Sequence, residues 1–482
     1  MSTTRVSLLF SFVEKYVLVL LSLAGGMIIS RLLTPTQAGI YAVAAVLLGV
    51  AQVLRDFGAG QYLVQERELT EAKLRAVLGA SFLFAWPLAA AIALLGAPLA
   101  RFYREPALAP LLQLLAVNFV LLPFSSVILP MLRREMRFGA ICAINLTHGL
   151  CSVLVAVLLA WRGFGFMSMA WGSVAATSAA LLLSLYLSPP RMPWLPARTG
   201  IGKVIVFGAY ATGGNLIDEA GAAAPDLVIG KMIGKMIGMD AVGIFGKALA
   251  VLAIFHKAIT NAVTPVVYPL YAAHVRGGGD ARDSYLRTVS YMTALAWPFF
   301  ACVAVMALPI LRLLYGEQWD AAAPLIRIMC FSSAIYSISC MSRYFLVAIG
   351  QAAPQARLDG MTVLLRIVLL IVAAPFGLSA VAWAIVGATV FRVTLTMRCL
   401  TRFGGISIAQ VAAASFKGLL LTGLALLAPL SALTLSPYSP ALAVLASGAS
   451  VLLWLAGIVL VRHPLIDELD LARRKLAAAL LH

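Results

Sequence analysis

This sequence has little charge. Aspartate and glutamate number 19 in 482 residues, and all charged residues make up 11% of the chain against 62% hydrophobic. Soluble domains carry about a quarter charged residues, so a mean hydropathy of +0.98 excludes a water-soluble globule. No stretch reads as a hydrophilic domain, and the whole chain is expected in the membrane. The six cysteines, Cys142, Cys151, Cys302, Cys330, Cys340 and Cys399, lie in apolar segments and form no C-x-x-C pair. That excludes a disulfide framework and a zinc site, and each reads as a small buried hydrophobe. Also missing are a G-x-x-x-x-G-K-[ST] phosphate loop, an H-E-x-x-H zinc motif and a G-x-S-x-G nucleophile turn. Their absence argues against ATP-driven transport by this chain and against hydrolysis. No cofactor or metal is expected.

What is present is a basic excess, with a net charge of +17. The lysines and arginines sit in short clusters between apolar runs rather than on one polar face, which is the pattern of topology determinants and not of a nucleic-acid surface. Residues Met1 to Gly26 carry Glu14 and Lys15 inside an apolar run, which a cleaved signal core lacks, so this stretch reads as a retained first span.

Apolar windows of about 20 residues, the length that crosses a bilayer, predict an all-α protein of fourteen membrane helices. They start near Val6, Gln37, Leu74, Ala107, Phe138, Phe166, Ile201, Met239, Ser284, Ala321, Arg357, Leu378, Val411 and Ala441. With both termini cytoplasmic, 22 of the 36 lysines and arginines fall on the inside, 7 on the outside and 7 within spans, as the positive-inside rule requires. The tail 464–482 spaces Leu465, Leu469, Leu476 and Leu480 among charges and reads as an amphipathic helix on the cytoplasmic surface.

The chain also repeats itself. Ala85-Trp86-Pro87, Ala90, Ala93, Pro98 and Arg101 recur without gaps 211 residues later as Ala296-Trp297-Pro298, Ala301, Ala304, Pro309 and Arg312. Ile29, Arg31, Gly39-Ile40-Tyr41 and Ala44 recur 204 residues later as Ile233, Lys235, Gly243-Ile244-Phe245 and Ala248. The repeating unit is therefore six helices, and an even unit keeps its orientation, so two parallel pseudo-symmetric six-helix bundles are expected. We expect lobes at 1–190 and 200–405, two additional membrane helices over 406–463, and the tail. Lys231-Met232-Ile233-Gly234, repeated at once over 235–238, reads as a local duplication.

Ile29-Ser30-Arg31-Leu32-Leu33-Thr34-Pro35 followed by Gly39-Ile40-Tyr41 resembles the opening signature of oligosaccharide flippases of the polysaccharide transporter family. Asp56-Phe57-Gly58, Phe102-Tyr103-Arg104-Glu105-Pro106, Asp226-Leu227-Val228-Ile229-Gly230, and Tyr315-Gly316-Glu317 with Trp319 resemble further motifs of that family in the expected order. The Lys-Met-Ile-Gly insertion after Asp226 departs from the pattern. The resemblance implies a member of the multidrug/oligosaccharidyl-lipid/polysaccharide superfamily in the bacterial inner membrane. It implies two lobes around a cavity open alternately to each side, and an undecaprenyl-diphosphate-linked O-antigen, capsule or exopolysaccharide repeat unit as substrate. Partners implied are that lipid-linked oligosaccharide, the membrane lipids and other polysaccharide-assembly membrane proteins.

Each ionisable residue inside a span costs at least about 2.5 kcal/mol at the helix centre and so requires a reason. The basic set is Lys15, Lys247, Lys257, Arg327, Arg343, Arg366 and Lys417; the acidic set is Glu14, Asp218, Glu219 and Asp226. A diphosphate head needs a cationic, hydrated route. Lys15, Lys247, Lys257, Arg343 and Arg366 are the candidate substrate-binding residues of such a cavity. Lys247 and Lys257 lie ten residues apart, roughly 15 Å along one helix and nearly on one face. The competing reading for each is snorkelling or a structural ion pair. The 204-residue offset superposes Glu14 on Asp218, so Glu14, Asp218 and Asp226 are candidates for coupling to H+ or Na+, with a static salt bridge as the alternative. The membrane potential alone, at about 2.3 kcal/mol per charge per 100 mV, offers a second drive. A drug/cation antiporter of the same superfamily would carry more acids than bases in its cavity. A polysaccharide polymerase or ligase would carry a long outside loop, which this chain lacks.

Overall fold

The computed structural model describes residues 3–466, apart from 57–59, 61, 64–65, 67–69, 189–194, 198–199, 203, 207–237, 278 and 436–439. All regular structure among the described residues is helical. The first helices are α1 (Thr3–Leu32), α2 (Pro35–Asp56), α3 (Glu71–Tyr103), α4 (Leu108–Leu121), α5 (Ile128–Arg134), α6 (Phe138–Trp161) and α7 (Met167–Tyr186). They are followed by α8 (Met239–Phe255), α9 (Asn261–Arg276), α10 (Arg282–Val305), α11 (Ala307–Leu314), α12 (Ala323–Ser337) and α13 (Ser342–Ala348). The chain continues through α14 (Ala352–Ala373), α15 (Leu378–Cys399), α16 (Ile408–Leu435) and α17 (Pro440–Leu460). Twelve helical stretches are long and apolar enough to cross a membrane, and the apolar part of α2 is shorter. The expected seventh span, from Ile201, falls largely outside the described residues, as do Asp218 and Asp226.

Local chemistry sets where the helices begin and end. Thr34 and Gln37 form a capping box at the start of α2, the Thr34 N–H donating to Gln37 Oε1 at 3.2 Å and the Gln37 N–H to Thr34 Oγ1 at 3.3 Å. Pro35 takes the first helical position, where its missing N–H loses nothing. Ser407 and Gln410 repeat the device at α16. α3 starts at the cap Thr70 and ends at Arg104, held left-handed at φ 56.

Residues up to Gly243 form one compact unit and those from Ile244 another. In the first, α6 packs on α7 and α1, and α3 on α4. Lipid tails are as apolar as the helices, so association relies on close backbone approach and buried hydrogen bonds. Gly25 faces Val153 and Gly149 faces Leu18 and Leu21 across α1 and α6, and Asn118 donates to Ser173 Oγ at 3.0 Å between α4 and α7.

The closest approach in this unit joins two repeat-equivalent positions. A Cβ built on Gly39 would lie 2.8 Å from the Met239 carbonyl carbon, and one on Gly243 would lie 2.9 Å from that of Pro35. Pro35 and Met239 are themselves 204 residues apart, as are Gly39 and Gly243, so the contact is reciprocal. The duplication is visible elsewhere as well. Tyr103-Arg104-Glu105 after α3 and Tyr315-Gly316-Glu317 after α11 turn through positive φ at Arg104 and Gly316. Pro98 lies inside continuous α3, whereas its counterpart Pro309 follows a break at Met306 that separates α10 from α11.

In the second unit, α10 packs against α12 and α16, α12 against α15, and α14 against α15. Trp297 donates to the Ala334 carbonyl at 3.0 Å, and Ser332 and Thr389 share a hydrogen bond of 2.8 Å. The last two helices dock on α10: Trp454 donates to the Ala294 carbonyl at 2.9 Å, and Gly418 lies against Thr293 and Ala294. Below them His463, 1% exposed, meets Ser290 Oγ at 3.0 Å and takes the Leu465 N–H on Nδ1.

Candidate functional site

In the first unit the acidic candidate Glu14 is half-buried on α1, and its Oε1 accepts a hydrogen bond of 2.6 Å from Asn145 Nδ2 on α6. An amide donor holds the carboxylate without adding a charge to it. Lys15, next to it, is exposed.

The other four cationic candidates belong to the second unit and occupy different surroundings. The Lys247 ammonium lies 4.8 Å from the ring centroid of Tyr315 and 5.0 Å from that of Trp319, a cation–π seat worth about 2 kcal/mol or more where water is excluded. Trp319 is fully buried. Its short turn is pinned by Arg312, which grips Asp320 through Nε and Nη2 at 3.0 and 2.6 Å. Lys257 is exposed and stands in a π turn, His256–Thr260, where α8 ends; such turns recur at functional positions. The two lysines expected along one path thus differ, one enclosed by aromatic rings and one open.

Arg343 on α13 is exposed and its Nε lies 3.9 Å from Asp359 Oδ2. Asp359, on α14, also accepts from Arg392 Nη2 at 2.8 Å and from Gln355 Nε2 at 2.9 Å, while the Arg392 guanidinium sits over Tyr336 at 5.5 Å. Arg366 is half-buried two turns further along α14. Asp359, Arg392 and Asn145 did not stand out in the sequence. The eleventh expected span starts near Arg357, which puts Asp359 at its margin, and Arg392 lies inside α15. Gln355 and Asp359, four residues apart and so on one face, with Arg366 a further seven along, are the signal that would have found the cluster.

A cavity of about 440 Å³ opens in the same unit, lined by Val251, Phe255, Pro298, Phe299, Val451 and Trp454 among others. Its walls are almost wholly apolar. It takes side chains from α8, α10 and the two additional helices, so it accepts hydrocarbon and offers a charged group no partner.

A family model described as polysaccharide biosynthesis protein matches residues 28–324. The chain belongs to this family. Similar sequences include the teichuronic acid biosynthesis protein TuaB of Bacillus subtilis, 24% identical over 63% of this chain and 62% of its own. The lipopolysaccharide biosynthesis protein WzxC of Escherichia coli is 21% identical over 68% of this chain and 66% of its own. The match thus spans just under two thirds of these relatives. Among solved structures, the lipid II flippase MurJ in an inward closed conformation superposes with a TM-score of 0.74 at 12% identity, over 94% of this chain and 99% of that one. An inward-facing MATE transporter of the MOP superfamily gives 0.63 at 13% identity, over 83% and 96%. This polysaccharide biosynthesis protein therefore has the MOP-superfamily fold and is a multi-pass inner-membrane protein. Its family motifs have structural reasons: Thr34-Pro35 and Gly39 cap α2 and permit the reciprocal crossing, and Tyr315 with Trp319 seats Lys247.

Proposed function

We propose that this protein is a flippase that moves undecaprenyl-diphosphate-linked oligosaccharide repeat units from the cytoplasmic to the outer leaflet by alternating access, for O-antigen, capsule or exopolysaccharide assembly. It performs no covalent chemistry, and both of its termini face the cytoplasm. The observation that carries this is the combination, within one unit, of in-span cations and an apolar cavity, which complements a lipid with an anionic head and a long hydrocarbon tail. Family membership and the fold shared with a lipid II flippase support the same reading. Within the membrane-crossing stretches the described lysines and arginines outnumber the aspartates and glutamates, 17 against 7. That balance suits an anionic cargo and disfavours the drug/cation antiporter. An anionic head moving outward runs with an inside-negative potential, and protonation of Glu14 adds a second drive. Other polysaccharide-assembly membrane proteins are its expected partners.

The test is deletion of the gene followed by leaflet-resolved labelling of lipid-linked repeat units. Accumulation in the inner leaflet is expected, relieved by the wild type and not by Lys257→Ala or Arg366→Ala. Unchanged distribution between leaflets in the deletion strain would refute the proposal.

A further inference from the structure

Two arginines stand together where α15 ends. Arg398 and Arg402 are one turn apart and both exposed, and neither is paired with a carboxylate among the described residues. The Arg402 guanidinium rests over its neighbour Phe403, 5.4 Å from the ring centroid. Like charges at this spacing repel. The negative end of the helix dipole favours basic residues here, which accounts for the arginines but not for what lies beside them.

Beside them is a hollow of about 610 Å³. It is lined by Val393, Thr394, Met397, Arg398 and Arg402, and by Ile408 at the start of α16. The turn that closes it is firmly held. Leu400–Gly404 forms a π turn, Thr401 donates to the Met397 carbonyl at 2.9 Å, and the Ile406 N–H returns to the Leu400 carbonyl at 3.2 Å. Gly405 turns through φ 62, and a Cβ built on it would lie 2.7 Å from Arg282 Nη2. That guanidinium is balanced by Asp280 at 3.5 Å, so its role is to pack against the turn.

Depth gives the hollow its chemistry. The membrane-crossing stretch ends at Gly404, which puts Arg402 about 3 Å, Arg398 about 9 Å and Val393 about 16 Å from its end along a helix. The apolar wall therefore lies at the depth of acyl chains and the guanidiniums near the boundary where lipid phosphates sit. A phospholipid has the same order, and a guanidinium fork matches two phosphate oxygens. The head decides which phospholipid: an ethanolamine head adds a cation that the arginines repel, whereas a glycerol head leaves the phosphate charge whole. Basic pockets between membrane helices recognise anionic headgroups on this principle.

We propose that Arg398 and Arg402 form a seat for the headgroup of phosphatidylglycerol, with one acyl chain along Val393, Met397 and Ile408. The lipid fills the elbow between α15 and α16, where the two additional helices begin, and supplies the counter-charge that the described residues omit. It is a resident lipid and not a cargo, so the seat goes beyond the flippase reading and stands without it.

The test titrates the purified full chain in detergent micelles with phosphatidylglycerol or phosphatidylethanolamine of the same chains, counting bound lipid by native mass spectrometry. Phosphatidylglycerol is expected to bind about tenfold more tightly, and equal affinity overturns the proposal. Replacing Arg398 and Arg402 together by alanine is expected to weaken phosphatidylglycerol binding about thirtyfold, or about fivefold for each arginine. The control is the double variant Arg276→Ala, Arg287→Ala, which removes two exposed arginines from the end of α9 and the first turns of α10. An equal loss there reflects attraction to any basic surface and overturns the seat. Val393→Trp keeps both arginines but fills the hollow; about tenfold weaker binding is expected, and unchanged affinity refutes the acyl groove. Should the double alanine variant at Arg398 and Arg402 fail to fold, Arg398→Gln alone is expected to lose about fivefold, and wild-type affinity refutes the proposal. Glycerol phosphate is expected to compete weakly; competition as strong as that of the lipid assigns the site to a free anion. Displacement by farnesyl diphosphate as effective as by phosphatidylglycerol assigns the site to a diphosphate cargo and overturns the resident lipid.

Discussion

Adding one methyl group at Gly39 should weaken the protein, while adding it ten residues later in the same helix should strengthen it. A Cβ at Gly39 would press on the Met239 carbonyl, whose carbon would lie 2.8 Å away, where two carbons at rest stand about 3.5 Å or more apart. The oxygen of that carbonyl would lie nearer still, so the helix starts would have to part by more than about 0.7 Å, and the obstacle is backbone, which cannot turn aside as a side chain does. Overpacking of this kind costs about 1–3 kcal/mol, against a gain of about 1 kcal/mol for replacing a helical glycine by alanine. Gly49 has no atom within 4 Å of its built Cβ, so Gly49→Ala keeps the gain without the clash. Both variants share that gain, so the difference between them is the overpacking cost alone, about 1–3 kcal/mol, and Gly243→Ala should behave as Gly39→Ala does. Thermal unfolding of the three variants in one detergent measures it. If Gly39→Ala is as stable as Gly49→Ala, the reciprocal crossing is not a tight contact and the reasoning fails.

His463 and Glu14 give two pH-dependent expectations. Burial and the nearby Lys417 depress the His463 pKa to about 4 from an unfolded value near 6.5. The unfolded chain therefore binds the extra proton first, and stability is complete above about pH 6.5 and falls by up to about 3 kcal/mol as pH drops towards 4. Structurally, Nδ1 accepts the Leu465 N–H, so a second ring proton there meets a donor and breaks that bond. Melting temperatures between pH 7 and 4.5 should decline in the wild type and less in His463→Gln; parallel curves would contradict this. If Glu14 takes up a proton during transport, Glu14→Gln should transport independently of an imposed proton gradient in proteoliposomes, and unchanged gradient dependence removes it from coupling.

The membrane helices could be read from sequence because the bilayer imposes a length on every apolar run, and starts such as Met239, Leu378 and Ala441 fall within a residue of the helices observed. The duplication was legible for a related reason: Gly39 and Gly243 recur because their backbones touch, and no side chain can substitute. The pairing of charges was not legible. Whether Lys247 lies free or on Trp319 depends on how a turn 72 residues away folds back, and the partner of Arg343 sits on the next helix at a register no periodicity specifies. Asn145 is a neutral amide among apolar residues and reveals its role only through the oxygen it meets.

Symmetry and chemistry part company in the same places. The 204-residue offset that superposes Gly39 on Gly243 carries Lys247 onto Val43 and Lys257 onto Val53, so these two lysines have apolar counterparts in the first half. A cargo with one anionic head and one apolar tail has no twofold symmetry, and a site that bound it equally from both halves would waste half its cations in hydrocarbon at several kcal/mol apiece. On the proposed flippase reading, keeping Lys247, Lys257, Arg343 and Arg366 in one unit, while the repeat retains its backbone contacts, would avoid that cost.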